Sequence, residues 1–160
     1  MTDSEKNKCH AIIHSFAAAS GAGNFIPAPG AGIAVDIGCM ASMCMSLAAV
    51  FANAPTDAVK EGILVAAMKR LLTKQALKEL AKQPKKKAAK ETAKFLAKHI
   101  IKQMSVKCAA KEGAKMIPFI GALIASTLSV TMIESEGWRL AYAMDAARKE
   151  LDSAPKELAA

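Results

Sequence analysis

A short phrase occurs twice in this chain, and each copy opens a long stretch almost without charge. Ile26-Pro27-Ala28-Pro29-Gly30-Ala31-Gly32-Ile33-Ala34 returns 91 residues later as Ile117-Pro118-Phe119-Ile120-Gly121-Ala122-Leu123-Ile124-Ala125. In both copies a proline stands three residues before a glycine. Proline suits a first helical turn, where its missing N–H would have no partner. Glycine just inside lets another backbone approach. Pro27, Pro29, Gly30, Pro118 and Gly121 therefore read as structural turns, each pair leading into a buried helix. From Ile33 to Ala52 the only charge is Asp36, and from Ile117 to Ile133 there is none. A helix apolar all round is either a membrane span or the centre of a bundle. The first stretch has the roughly 20 residues a bilayer crossing needs. Asp36 argues against a crossing, since an acid at mid-membrane costs about 2.5–3.5 kcal/mol. Ala, Ser, Gly and Cys also dilute that stretch, and Ser126, Thr127, Ser129 and Thr131 dilute the second. The expectation is a water-soluble bundle, with insertion as its rival.

The remaining segments supply the helices to wrap this pair. The 160 residues are 52% hydrophobic but only 4% aromatic, a mixture rich in strong helix formers and poor in strand formers. No run alternates apolar and polar residues between hairpin turns. The fold class expected is all-α: a compact bundle of about five helices, two pseudo-repeated helical hairpins around two apolar central helices. The first helix is capped near Asp3 or Ser4, buries Cys9, Ile12, Ile13, Phe16 and Ala17, and stops at Gly21-Ala22-Gly23-Asn24. The second runs from about Ala31 to Phe51, and Asn53-Ala54-Pro55-Thr56 breaks it and caps the next. The third spans about Asp57 to Gln83, ended by Pro84. The fourth runs from Lys85 to about Ala114, buried along Ala89, Ala93, Leu96, Ala97, Ile100, Ile101, Met104 and Cys108. The fifth begins near Pro118 and reaches Leu151. Residues 1–151 are expected to form one helical domain, with 152–160 a flexible tail.

Groups able to carry chemistry are few. Cys9, Cys39, Cys44 and Cys108 lack any CxxC spacing and sit in apolar contexts, as reduced buried thiols do. The acidic, polar start Met1-Thr2-Asp3-Ser4-Glu5 is unlike a signal peptide. A cytoplasmic location is expected, peripheral at or inserted in the inner membrane. Cys39, Met40, Met43 and Cys44 offer soft ligands that suit Cu(I), yet the same spacing builds a core face, so a copper-binding bundle is a lesser alternative. His10 and His14 are four apart and could share a metal. The carboxylate of an HExxH site is missing, however, and the next histidine is His99, so a surface pair is expected and no metal. The glycine-rich runs lack the Lys-Ser or Lys-Thr of a phosphate-binding loop. Asp36 reads as an N-terminal-turn acid helped by the helix dipole. Neither a catalytic residue nor a cofactor is expected, and the chain does not read as an enzyme.

The strongest surface signal is charge. Between Lys60 and Lys115 stand sixteen Lys or Arg against four Glu, within a net charge of +8. Lys74, Lys78, Lys82, Lys86, Lys90, Lys94, Lys98 and Lys102 recur every four residues. Four residues turn a helix by about 400°, so the row drifts only about 40° per step. Pro84 divides it into two basic faces. With Lys85, Lys87 and Trp138 as an interfacial anchor, this row is the expected contact for anionic lipid or an acidic protein surface. Base-specific nucleic-acid binding is not expected, because Arg70 is the row's one arginine and stacking aromatics are missing.

Phe25-Ile26-Pro27-Ala28-Pro29-Gly30-Ala31-Gly32-Ile33-Ala34-Val35-Asp36-Ile37 resembles the "domain of unknown function 697" family. These helical, often membrane-associated domains follow Era-like GTPase domains in bacteria. Lys115-Met116-Ile117-Pro118-Phe119-Ile120-Gly121-Ala122-Leu123-Ile124 is similar to that family's second phrase, and Ala141-Tyr142-Ala143 to the helix behind it. More distantly the chain looks like the helical domains of immunity-related GTPases. The resemblance, over about residues 10 to 148, implies a helical module that works at a membrane or with a GTPase, which here would be a separate partner. It brings no catalytic residues. The function expected is a non-catalytic module docking on an anionic membrane; the alternative is a regulatory subunit of a GTPase without lipid contact.

Overall fold

The computed structural model describes residues 1–25, 31–52, 54, 56–81, 89–104 and 120–153. They form an all-α compact bundle of six helices: α1 Asp3–Gly23, α2 Ala31–Phe51, α3 Asp57–Leu71, α4 Lys74–Ala81, α5 Ala89–Gln103 and α6 Ile120–Ser153. Among the described residues there is no strand. The turn residues Pro27, Pro29, Gly30 and Pro118 lie outside the described residues, as do Cys108, Lys82, Lys85, Lys86 and Lys87. Gly121 lies in the first turn of α6.

Helix α2 is the hub. It packs on α1, α3, α5 and α6, and it buries Met40, Met43, Cys44, Leu47, Ala48 and Phe51. It is also the one described helix long and apolar enough to cross a membrane. The second apolar stretch is more one-sided. Ala125, Ser129, Met132 and Ile133 turn inward, whereas Leu123 and Ile124 are exposed. At 34 residues α6 is about 50 Å long and runs the length of α1 in the opposite sense. Gly21 faces Ser126 and Val130, Ile13 faces Gly137, and Glu5 meets Arg148.

Local chemistry sets the boundaries and corrects four expectations. The cap of α1 is Thr2, one residue before Asp3. Its hydroxyl accepts from the Glu5 N–H at 3.3 Å, and the Glu5 carboxylate accepts from the Thr2 N–H at 2.7 Å. This reciprocal pair satisfies two otherwise orphaned donors. Thr56 caps α3 through the Val59 N–H at 3.4 Å, as read from the sequence. The expected single helix over 57–83 is broken, however. Leu72 is extended (φ −99°, ψ 153°) and nearly fully buried, and the Thr73 hydroxyl accepts from the Ala76 N–H at 3.4 Å to start α4. Helix α5 ends at Gln103 in a turn closed by the Met104 N–H on the Ile101 carbonyl, short of the expected Ala114. At the other end, α6 continues two residues past Leu151; the tail beyond Ser153 is outside the described residues.

Candidate functional site

Helix α5 is fastened by one face and charged on the other. Ala89, Thr92, Ala93, Leu96, Ala97, Ile100 and Ile101 are buried against α2 and α3. Lys90, Lys94, Lys98 and Lys102 are all exposed, on a ridge about 18 Å long. Burying Leu96 or Ile100 contributes about 1.5–3 kcal/mol each. The exposed Lys94–Glu91 pair at 2.9 Å contributes about 0–1 kcal/mol. The apolar stripe therefore holds the helix, and the ammonium groups are not needed to do so. Lys90, Lys98 and Lys102 make no ion pair among the described residues. Lys74 and Lys78 are exposed on α4, whose Ala76 and Leu77 turn toward the core.

Trp138 is not part of this ridge. It sits half-buried on α6, its ring centroid 6.2 Å from that of His10 and 6.1 Å from that of Tyr142. That places it beside α1, away from the contacts of α5 with α2 and α3. The structure thus joins the four α5 lysines into one surface and leaves Trp138 on another.

The soft-ligand cluster is core. Met40, Met43 and Cys44 are fully buried, and Cys39 is partly exposed. Burial pushes the Cys44 thiol up to about 12 and the Cys9 thiol up to about 11, and it raises that of Cys39. Such thiols stay protonated and unreactive near neutral pH.

A second constellation was not legible in the sequence. Asp36 is fully buried in the second turn of α2, not in its first, so the helix dipole is not what holds it. The Ser20 hydroxyl of α1 donates to Asp36 Oδ1, and the Ser129 hydroxyl of α6 donates to Oδ2 at 3.3 Å. Asn24 Nδ2 donates to Ser129 Oγ and to the Ser20 carbonyl, both at 2.8 Å. Hydroxyl donors are what a buried carboxylate needs in place of water. The cluster ties α1, α2 and α6 at one point and fixes their register.

Among the described residues no group of three or more His, Cys, Asp or Glu is arranged to hold a metal ion. Comparison with protein-family models, with curated proteins and with solved structures finds no match to this chain. What the fold and surface define is a class: a helical bundle with a polar clasp inside and a lysine ridge outside.

Proposed function

We propose that the chain is a non-catalytic helical module that docks peripherally on an anionic membrane through the α5 ridge. The observation that carries this reading is the exposure of Lys90, Lys94, Lys98 and Lys102 on a helix whose opposite face is locked into the core. Each lysine close to an anionic surface adds about 1 kcal/mol. Four give about 4 kcal/mol, which corresponds to millimolar affinity. The α4 lysines Lys74 and Lys78 would add to it. Docking on the surface is favoured over insertion because withdrawing α2 into lipid would carry Asp36 with it. That would break the Ser20 and Ser129 bonds as well as expose a charge to hydrocarbon. A separate GTPase, implied by the family resemblance, would work with the docked module.

Vesicle co-sedimentation tests this. Binding is expected to phosphatidylglycerol-containing vesicles, weak or none to phosphatidylcholine alone, and falling as salt is raised. Replacing Lys90, Lys98 and Lys102 by Glu should abolish it while the helical circular dichroism is kept. No binding to either vesicle removes the proposal.

A further inference from the structure

We infer that His10 and His14, oriented by Glu134, form an open binding site for a divalent transition-metal ion of the Ni²⁺ or Cu²⁺ class. The two histidines are one turn apart on α1 and share a face. Their Nε2 atoms stand 3.0 Å apart. Two nitrogens at that spacing, each bound to one ion at about 2.0–2.1 Å, subtend about 90° at the metal. That is the angle between neighbouring ligands in tetragonal or octahedral coordination. Imidazole ligands suit Ni²⁺ and Cu²⁺, and at a site of this donor type Cu²⁺ binds more tightly than Zn²⁺.

The ring of His14 is also held from behind. Its Nδ1 lies 2.7 Å from Glu134 Oε1, so the Nδ1–H donates to the carboxylate and the Nε2 keeps its lone pair. A carboxylate on the far nitrogen is how ligating imidazoles are commonly oriented and made more basic. With His14 in that tautomer, His10 Nε2–H donates to His14 Nε2. An ion entering between them requires that His10 carry its proton on Nδ1 instead, exchanged through solvent, and that the two exposed rings turn their Nε2 lone pairs onto it. Glu134 comes from α6, so neither helix alone contains the arrangement. His10 is exposed, and the His14 side chain is 51% exposed. Water can fill the remaining coordination positions, as in exchangeable rather than closed structural sites. The site lies off the α5 ridge and does not depend on the membrane reading.

Trp138 is the chain's one tryptophan, and its ring centroid is 6.2 Å from that of His10, close enough to be quenched by a bound paramagnetic ion. The test is titration of the untagged chain with Ni²⁺, followed by Trp138 fluorescence. Saturable quenching at one ion per chain, reversed by a chelator, is expected. His10→Ala and His14→Ala should each weaken it at least about 10-fold, and Glu134→Gln by about 10-fold or more. His99→Ala, which removes the chain's third histidine, should change nothing. Undiminished quenching in the His10→Ala, His14→Ala double variant overturns the site. A Glu134→Gln titration superimposable on that of the parent overturns the role given to Glu134.

Discussion

At the scale of single residues, the buried carboxylate of Asp36 is the most demanding group in the molecule. Its α2 surroundings are otherwise apolar, and the donors that satisfy it come from other helices. Ser129 has a double task, accepting from Asn24 Nδ2 and donating to Asp36. Ser129→Ala removes a bond to a charged group and leaves the Asn24 amide short of an acceptor, so it should cost about 2–3 kcal/mol. Ser135 provides the comparison. It is exposed, and its hydroxyl bonds only to the Met132 carbonyl one turn back. Ser135→Ala should lie within about 0.5 kcal/mol of the parent. Urea unfolding of both variants measures this, and equal midpoints would show that the clasp contributes nothing. The sequence announced Asp36 as odd but not its partners. Ser20, Asn24 and Ser129 are unremarkable polar residues in helical runs, and they acquire a role only where three helices meet. Glu134 is similar: nothing in the spacing of His10 and His14 says that a carboxylate from α6 arrives behind one of them.

At the scale of elements, periodicity was a good guide wherever one helix had one buried face. The stripe of α5 and its lysine row were legible because both repeat at helical spacing on a single element. The break at Leu72 and Thr73 was not, because its cause is tertiary: Leu72 turns into the core at a point where the helical pattern could have continued. The close crossing of α1, α2 and α6 at Gly137 was equally hidden. A Cβ there would come within 2.9 and 3.0 Å of the Ile13 Cγ atoms and 3.1 Å of Met43 Sδ. Ile13 is branched at that point and cannot swing away cheaply. Gly137→Ala should therefore destabilise by about 1 kcal/mol, since overpacking of about 1–3 kcal/mol outweighs a helix-propensity gain of about 1 kcal/mol. At Gly38, in α2, nothing lies within 4 Å of the added carbon. Gly38→Ala keeps the propensity gain and should raise stability by about 0.5–1 kcal/mol. Opposite shifts of the melting temperature are the expected result, and a stabilised Gly137→Ala would mean that α1 and α6 have slack at their crossing.

At the scale of the whole molecule, the two ends of the α1–α6 pair are joined by different chemistry. Near the α1 C-terminus the joint is the uncharged approach at Gly21 and the Asp36 clasp. Near its N-terminus it is ionic. Arg148 binds Glu5 and, at 2.8 Å, Asp145, which also receives Lys149 at 2.8 Å and the Met1 amino group at 3.0 Å. The Arg148 guanidinium also lies 5.5 Å from the centroid of the Phe51 ring. Its hydrogen bond holds the Glu5 carboxyl below its usual value, helped by the Thr2 N–H. For Asp145 burial pushes upward, but Lys149 and the amino terminus together bring the net shift down. Carboxyls depressed in the folded chain bind fewer protons there than when unfolded, so they add stability above their ordinary pKa. That stability drains away as pH falls below about 4, through the depressed folded values. Arg148→Met keeps much of the side-chain volume and removes the shared cation. It should cost about 1–2 kcal/mol at pH 7 and lose less further stability than the parent between pH 5 and pH 2. Denaturant unfolding across that range decides the matter. An unchanged pH slope in the variant would mean that Glu5 owes its depression to something other than Arg148, and that acid loosens the bundle at some other joint first.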